Sequence, residues 1–324
     1  MFSIKKYLIF LLFQVLVLGA CTTQKDTILP SDPSWDKKPD YSKAIEFYEK
    51  RLKEQLETLE PDHIDLALTY NNLGSLWHDK GYYDKALSFY EKAQTIYLKV
   101  PAPGHKDLAT TWNGMGSTWE SKGKYDKAIN FYEKALNMRS KILGPDHTDM
   151  ASVWNNLAGA WSSKGNYEKA LNYYEKALEI VLKTLGPEHP YVASTWNNLA
   201  SVWQTKGDDK KAEEYIKKAL GLRLKLFGSM HPDVAGSWNK LATIFLNRGD
   251  FDKAIDFYQK SQEVRLKVFG PEHPVIANNW SGLGIAWIRK GNYDKAIEYF
   301  EKAISLGKKT WDQNTPIWVI TVTI

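Results

Sequence analysis

From Tyr41 onward the apolar and polar positions follow a helical period, and the same pattern returns every 42 residues. Three kinds of small or polar residue hold fixed columns in this repeat. The asparagine column is Asn71, Asn113, Asn155, Asn197 and Asn239, with Ser281 in the sixth place. The glycine column is Gly81, Gly123, Gly165, Gly207, Gly249 and Gly291. The alanine column is Ala86, Ala128, Ala170, Ala212, Ala254 and Ala296. Internal repeats of this length are typical of solenoids, in which each unit packs against the next.

Each unit predicts two helices. In the second repeat an apolar face with i, i+3, i+4 and i+7 spacing predicts the first of them, and consists of Trp112, Met115, Gly116 and Trp119. The pair Lys122-Gly123 predicts its end. Helical spacing then resumes at Tyr125, Ala128, Tyr132 and Ala135. Because Gly116 and Ala128 are small, we expect the two helices to approach closely there, with the aromatic side chains beside them.

The motif Trp-x-x-Met-Gly-x-x-Trp, followed by Ala128 and Tyr132, resembles the tetratricopeptide repeat (TPR). The usual unit has about 34 residues, and the surplus lies in the loop between units, for example LGPEHPY from Leu185. Units with this Gly-Pro-acid-His loop are similar to those of kinesin light chains and their bacterial relatives. The resemblance implies an all-α fold, a right-handed superhelical solenoid of stacked helix-turn-helix TPR units. It covers residues 41–316, as an N-terminal half repeat and six repeats.

The two ends of the chain depart from the repeat. Residues 1–20 combine Lys5 and Lys6 with an apolar run too short to span a bilayer, which needs about 20 apolar residues, so they predict a secretory signal. Residues 21–40 hold three prolines and predict a flexible tether. Residues 317–324 form an irregular apolar tail. Three explanations stay open for this tail: it docks on the last repeat, it inserts into another molecule, or it reflects truncation of the chain.

The end of the leader, Leu18-Gly19-Ala20-Cys21, resembles the bacterial lipobox. Cys21 is the only cysteine in the chain. The resemblance implies cleavage before Cys21 and lipid attachment to it, and therefore a lipid-anchored protein of a bacterial cell envelope. Thr22 favours the outer membrane in a diderm bacterium. The alternative is an ordinary signal peptide with a cysteine there by chance.

Composition narrows the classes of function. The net charge of +5 comes from 43 basic and 38 acidic residues, a balance that argues against electrostatic binding of nucleic acid. A single cysteine excludes both an intrachain disulfide framework and a zinc site built from cysteines. The sequence contains no phosphate-binding glycine loop, His-Glu-x-x-His motif or serine elbow. These motifs therefore give no reason to expect a cofactor or an enzymatic activity.

Three periodic columns allow two interpretations each. Six histidines in the inter-repeat loop suggest a metal site, but one imidazole per repeat cannot converge on one ion, so we expect hydrogen bonds at turns and helix starts. Tryptophans on the core stripe favour packing over a carbohydrate site. Lysines on second helices favour a solvated face over an anion-binding patch. The histidines are His63, His105, His147, His189, His231 and His273.

Beside the core face, each first helix carries small, neutral hydrogen-bonding residues. Such residues cost about 0.5–1 kcal/mol each relative to alanine inside a helix, so a merely solvated face would favour lysine and glutamate. In TPR proteins this position faces the ligand, which implies a groove for an extended peptide. We call the candidate residues the polar stripe: Asn71, Asn113, Ser117, Asn155, Asn197, Ser201, Gln204 and Asn239. The alternative is that the asparagines bridge neighbouring first helices.

These patterns predict a membrane-anchored platform that binds a partner protein or peptide in the concave TPR groove. The main alternative is a structural spacer or assembly scaffold of the envelope, which acts through its ends. An enzyme is the least favoured interpretation.

Overall fold

The computed structural model describes residues 41–99 and 105–310, and within those ranges it contains thirteen α-helices and no strand. The predicted all-α class and the consecutive helix-turn-helix packing are therefore confirmed. The leader, Cys21, the tether and the apolar tail lie outside the described residues. Among the described helices, none is both long enough and apolar enough to cross a membrane.

Helix α1 (Tyr41–Thr58) precedes six helix pairs in the described part of the chain. The first helices of the pairs are α2 (Ile64–Asp79), α4 (His105–Ser121), α6 (Asp149–Ser163), α8 (Pro190–Thr205), α10 (Pro232–Asn247) and α12 (Pro274–Arg289). The second helices are α3 (Tyr83–Tyr97), α5 (Tyr125–Leu143), α7 (Tyr167–Leu185), α9 (Asp209–Phe227), α11 (Phe251–Phe269) and α13 (Tyr293–Thr310).

The described residues divide into two compact units. The first unit ends at Leu226 and contains α1 to α9, and the second begins at Phe227 and contains α10 to α13. Within the first unit, neighbouring helices in the chain pack against each other, and the first helices of successive pairs also contact one another, as α2 contacts α4 and α4 contacts α6. Residues on successive first helices can therefore form one continuous face.

Glycine ends the helices where the sequence predicted breaks. Gly123 follows α4 with a φ of +70°, a left-handed conformation that costs glycine little and other residues much. The next backbone amide, that of Lys124, donates to the carbonyl of Trp119 at 2.9 Å and closes the end of the helix. Gly81, Gly165 and Gly207 have the same sign of φ in the other turns of the first unit.

Close packing within each pair depends on small residues. Ala128 is fully buried, and Tyr132 is fully buried against Gly116. A Cβ placed on Gly116 would lie only 2.6 Å from the Tyr132 ring. The prediction that Gly116 and Ala128 allow the two helices to approach is therefore confirmed.

Ion pairs link successive pairs of the first unit at their exposed edges. Lys183 on α7 contacts Asp146, in the loop before α6, at 2.7 Å, and Lys99 contacts Asp62 at 2.8 Å in the equivalent place. A second series joins the end of one first helix to the start of the preceding second helix. It consists of Lys122 with Asp84, Lys164 with Asp126 and Lys206 with Glu168. Each exposed ion pair contributes only about 0–1 kcal/mol to stability. The stack therefore depends mainly on the burial of apolar side chains, and the ion pairs add to it.

The second unit repeats the same packing. Ala254 and Ala242 are fully buried, and Gly282 and Gly284 lie against the rings of Tyr258 and Phe300. Asn279 is also fully buried, and its amide donates to the Tyr258 carbonyl at 2.7 Å.

Candidate functional site

The polar stripe of the first unit lies along the face made by α2, α4, α6 and α8. Most of its members are half-buried, so part of each side chain stays at the surface. These are Asn71, Asn113, Ser117, Asn155, Ser201 and Gln204. Asn197 differs, because it is only 1% exposed. Its amide is therefore withdrawn from the surface of the described structure, and contact between Asn197 and a ligand stays a prediction.

Asparagines of the stripe also join neighbouring first helices. The Nδ2 of Asn156 donates to the Oδ1 of Asn113 at 3.1 Å, and the Nδ2 of Asn198 donates to the Oδ1 of Asn155 at 3.4 Å. Asn71 accepts in the same way from the Thr111 hydroxyl at 3.0 Å. The bridging role that the sequence left open is thus present. Each bridge uses one acceptor position of the asparagine side-chain oxygen. An asparagine side chain has a second acceptor position and two donor hydrogens as well.

Two hydrogen bonds along the helices orient other members of the stripe. The Nδ2 of Asn155 donates to the Ala151 carbonyl at 3.0 Å, and the Ser201 hydroxyl donates to the Asn197 carbonyl at 3.1 Å. Each of these bonds runs from residue i to residue i−4. Bonds of this kind hold the short side chains against their own helix.

Tyrosine hydroxyls from the second helices reach the base of the stripe. The Tyr132 hydroxyl donates to the Oε2 of Glu120 at 2.9 Å and also makes a hydrogen bond with Ser117. Burial, followed by the charge of Glu120, raises the pKa of Tyr132 well above its usual value. Burial, followed by the charge of Glu120, also raises the pKa of Tyr174. From the sequence we expected only a packing role for these tyrosines, although their 42-residue column was visible.

Asn239 is the one predicted residue of the stripe in the second unit. Its Nδ2 donates to the Oδ1 of Asn279 at 2.7 Å. Since Asn279 is fully buried, this bond ties α10 to α12 and orients Asn239 toward its neighbour. Asn239 therefore has a structural role of its own.

The histidine column begins the first helices. The Nδ1 of His63 accepts from the backbone amide of Asp65 at 3.2 Å, and His189 accepts from Tyr191 at the same distance. Equivalent bonds are made by His147, His231 and His273. The prediction of helix-start hydrogen bonds is confirmed for these five. Within the described ranges, we find no cluster of three or more His, Asp or Glu side chains that could hold a metal ion.

The lysine and tryptophan columns meet at the turns between paired helices. The Lys169 Nζ lies 3.9 Å from the centroid of the Trp161 ring, and Lys127 lies 4.1 Å from that of Trp119. The same two tryptophans also pack against the buried core of their pairs. Packing is therefore the role of this tryptophan column, with a cation–π contact on its outer side. We expected these lysines to be merely solvated, and their contact with the tryptophan rings was not predicted.

The sequence matches the family model described as tetratricopeptide repeat over residues 39–99, 107–180, 149–225 and 233–309. No curated protein matches it.

Solved structures with the same fold come from several proteins. BtubC (BKLC) from P. vanneervenii is 20% identical, with a TM-score of 0.53 over 86% of this chain and 95% of that one. Kinesin-light-chain TPR-like repeats of Podosopora anserina are 23% identical, with a TM-score of 0.54 over 65% and 99%. The apo form of RapI is 15% identical, with a TM-score of 0.61 over 84% and 93%.

The family model covers most of the chain, the helix pairs have the packing that the motif predicts, and the similar structures include kinesin-light-chain repeats. The chain belongs to the tetratricopeptide repeat family.

Proposed function

We propose that this protein is an interaction platform that binds an extended peptide segment of a partner protein along the polar stripe of its first unit. TPR proteins generally mediate protein–protein interactions, and no catalytic motif in the chain points elsewhere. The observation that carries the proposal is the row of half-buried, uncharged amides and hydroxyls on successive first helices. An extended peptide backbone presents alternating donors and acceptors, which such groups complement.

The bridges between first helices support this proposal. A bond such as the one between Asn156 and Asn113 fixes the orientation of the Asn113 amide before any ligand arrives. A fixed side chain loses less conformational entropy on binding, so each new hydrogen bond contributes more to affinity. The residues of the stripe in the first unit are all uncharged, so the stripe itself offers no lysine or arginine to a ligand. A carboxylate-capturing site is therefore disfavoured relative to recognition of the peptide backbone.

We also propose that the platform is anchored to a membrane. The lipobox-like segment ending at Cys21 supports lipid attachment, and residues 22–40 would separate the repeats from the membrane. This arrangement would present the stripe to partners in the cell envelope.

The test compares two amide-to-alanine variants. Asn113→Ala/Asn155→Ala alters the stripe, and the control Asn130→Ala/Asn172→Ala removes the same groups from exposed positions on the second helices α5 and α7. Partners are crosslinked and captured from native envelopes and identified by mass spectrometry, after thermal unfolding has shown that both variants fold. We expect the stripe variant to lose partners that the control retains. Equal partner sets in both variants would contradict the proposal and assign binding to another surface.

A further inference from the structure

Helix α1 is a second helix that lacks a first helix of its own among the described residues. Ala44 stands in the alanine column, and every later member, from Ala86 to Ala296, is at most 1% exposed. Ala44 is only half-buried, and Phe47 beside it is 60% exposed. The side of α1 that a first helix would cover is therefore open in the described structure. We call it the α1 face, made of Ala44, Phe47 and Tyr48.

In the next repeat, a tryptophan from the last turn of the first helix covers the equivalent face. Trp77 packs against the cluster that includes Ala86, Leu87 and Tyr90. The Nζ of Lys85 lies 3.5 Å from the centroid of the Trp77 ring, on its outer side. In each later repeat of the first unit a tryptophan again precedes the column alanine by nine residues, as Trp119 with Ala128, Trp161 with Ala170 and Trp203 with Ala212.

The segment before α1 keeps this pattern in its last residues. Trp35 precedes Ala44 by nine residues, and Lys43 stands in the column of the lysines that lie over the tryptophan rings. Asp40 stands in the column of Asn166, whose side chain caps the start of α7 by accepting from a backbone amide at 3.1 Å. Trp35 itself lies outside the described residues. Its register nevertheless gives it the same relation to the α1 face that Trp77 has to the face of α3.

We propose that Trp35 packs on the α1 face and closes this end of the first unit. Only residues 36–40 connect Trp35 to α1, so the closed loop is short and costs little entropy. The ring and the α1 face would both leave water, and Lys43 would lie over the outer side of the ring. Pro30 and Pro33 disfavour a complete first helix before Trp35. A single aromatic side chain would therefore replace the missing helix.

This closure changes how the repeats connect to the proposed membrane anchor. The part of the chain free to act as a tether would be residues 22–34. The α1 face would also be withdrawn from other molecules, and an open end of this kind is what end-to-end assembly of copies would use. The inference goes beyond the proposed function, which concerns the polar stripe, and neither depends on the other.

The test measures how fast a cysteine on the α1 face reacts with a maleimide. Ala44→Cys is introduced into the full-length chain together with Cys21→Ser, so that residue 44 carries the only thiol. The protein is kept in detergent, and labelling is followed by intact-mass spectrometry. We expect labelling to become about tenfold faster when Trp35→Ala is added. The matched control is Leu29→Ala, which removes an apolar side chain of the same segment from the column of the stripe asparagines and should leave the rate unchanged.

Trp35→Phe provides a second variant that keeps an aromatic ring. Phenylalanine occupies the same column at Phe245, where the Nζ of Lys253 lies 5.2 Å from the ring centroid. Trp35→Phe should therefore retain most of the slow labelling. Urea unfolding gives an independent measurement, in which Trp35→Ala should lower the midpoint and Leu29→Ala should not.

Equal labelling rates with and without Trp35 would overturn the proposal. Equally fast rates would show that the α1 face is open, and equally slow rates would show that something other than Trp35 covers it. Protection that increases with protein concentration would identify that cover as a second copy of the chain. None of these results alters the test of the polar stripe, because the capture experiment with Asn113→Ala/Asn155→Ala uses a different face.

Discussion

Gly116 and Tyr132 fix the distance between the helices of the second pair. The ring of Tyr132 occupies the space that a side chain at residue 116 would need, and its Cδ1 and Cε1 atoms would both lie 2.6 Å from a Cβ there. Tyr132 is fully buried and its hydroxyl is bonded to Glu120, so the ring has no easy route away. The contact thus connects the packing of the pair to the floor of the polar stripe.

This relationship predicts that Gly116→Ala destabilises the protein despite the better helix propensity of alanine. Overpacking of a filled core costs about 1–3 kcal/mol, which exceeds the gain of about 1 kcal/mol from replacing glycine in a helix. Gly221→Ala is the control, since its Cβ meets no atom and should stabilise the fold. Urea unfolding monitored by tryptophan fluorescence measures both. A Gly116→Ala variant as stable as the original chain would show that Tyr132 can move.

A second prediction concerns Tyr97, which is fully buried and whose hydroxyl lacks a hydrogen-bond partner among the described residues. Removing an unsatisfied buried hydroxyl is neutral or stabilising by about 1 kcal/mol. We therefore expect Tyr97→Phe to be at least as stable as the original chain at pH 7. A loss of more than about 1 kcal/mol in urea unfolding at that pH would contradict the prediction.

The same residue predicts a dependence on alkaline pH. Burial, with smaller contributions from Asp107 and Asp65, raises the pKa of Tyr97 in the folded protein. The unfolded chain then releases this proton near pH 10 while the folded chain keeps it, so stability falls as the pH rises beyond about 10. Tyr97→Phe should lose less stability than the original chain between about pH 9 and 11. Identical losses in urea unfolding would show that Tyr97 does not carry the effect.

The histidines at the helix starts give a fourth prediction. His63 accepts from the amide of Asp65 at the beginning of α2, and loss of such a cap costs about 1 kcal/mol. His63→Ala should therefore lower the free energy of unfolding by that amount, and His63→Asn, which keeps an acceptor at the cap, should restore most of it. Equal stability of the alanine and asparagine variants, measured by urea unfolding, would remove the capping role.

The sequence predicted those features that depend on contacts inside one repeat. The columns of Gly116 and Ala128 indicate the close approach of two helices joined by a short turn, and Gly123 indicates the turn itself. The role of Asn113 depended on something else, the distance to Asn156 in the next repeat. Sequence periodicity does not contain that distance, so it left bridging and ligand contact as alternatives.

Burial along the stripe was beyond the sequence for a related reason. Asn113, Asn155 and Asn197 occupy one column, yet only Asn197 is almost completely buried. Residues of neighbouring helices, rather than the column itself, decide how much water each amide meets. Tyr174 shows the same effect, because its hydroxyl and the carboxylate of Glu120, on an earlier helix, both lie near Gly159. A periodic pattern shows which face a residue occupies, and the depth of burial depends on the packed stack.

The last prediction tests the membrane anchor at Cys21. If the segment from Leu18 to Cys21 is processed as the lipobox it resembles, the mature chain begins at Cys21 and carries several acyl chains, which together anchor a protein stably where one chain does not. Intact-mass spectrometry of the protein from bacterial membranes should then show a mass above that of residues 21–324. Cys21→Ala should remove the added mass and shift the protein out of the membrane fraction. Asn113→Ala/Asn155→Ala is the control, because it alters the stripe and should keep both lipid and membrane association. A Cys21→Ala variant that has the same mass difference and remains with membranes would contradict lipid attachment at this residue.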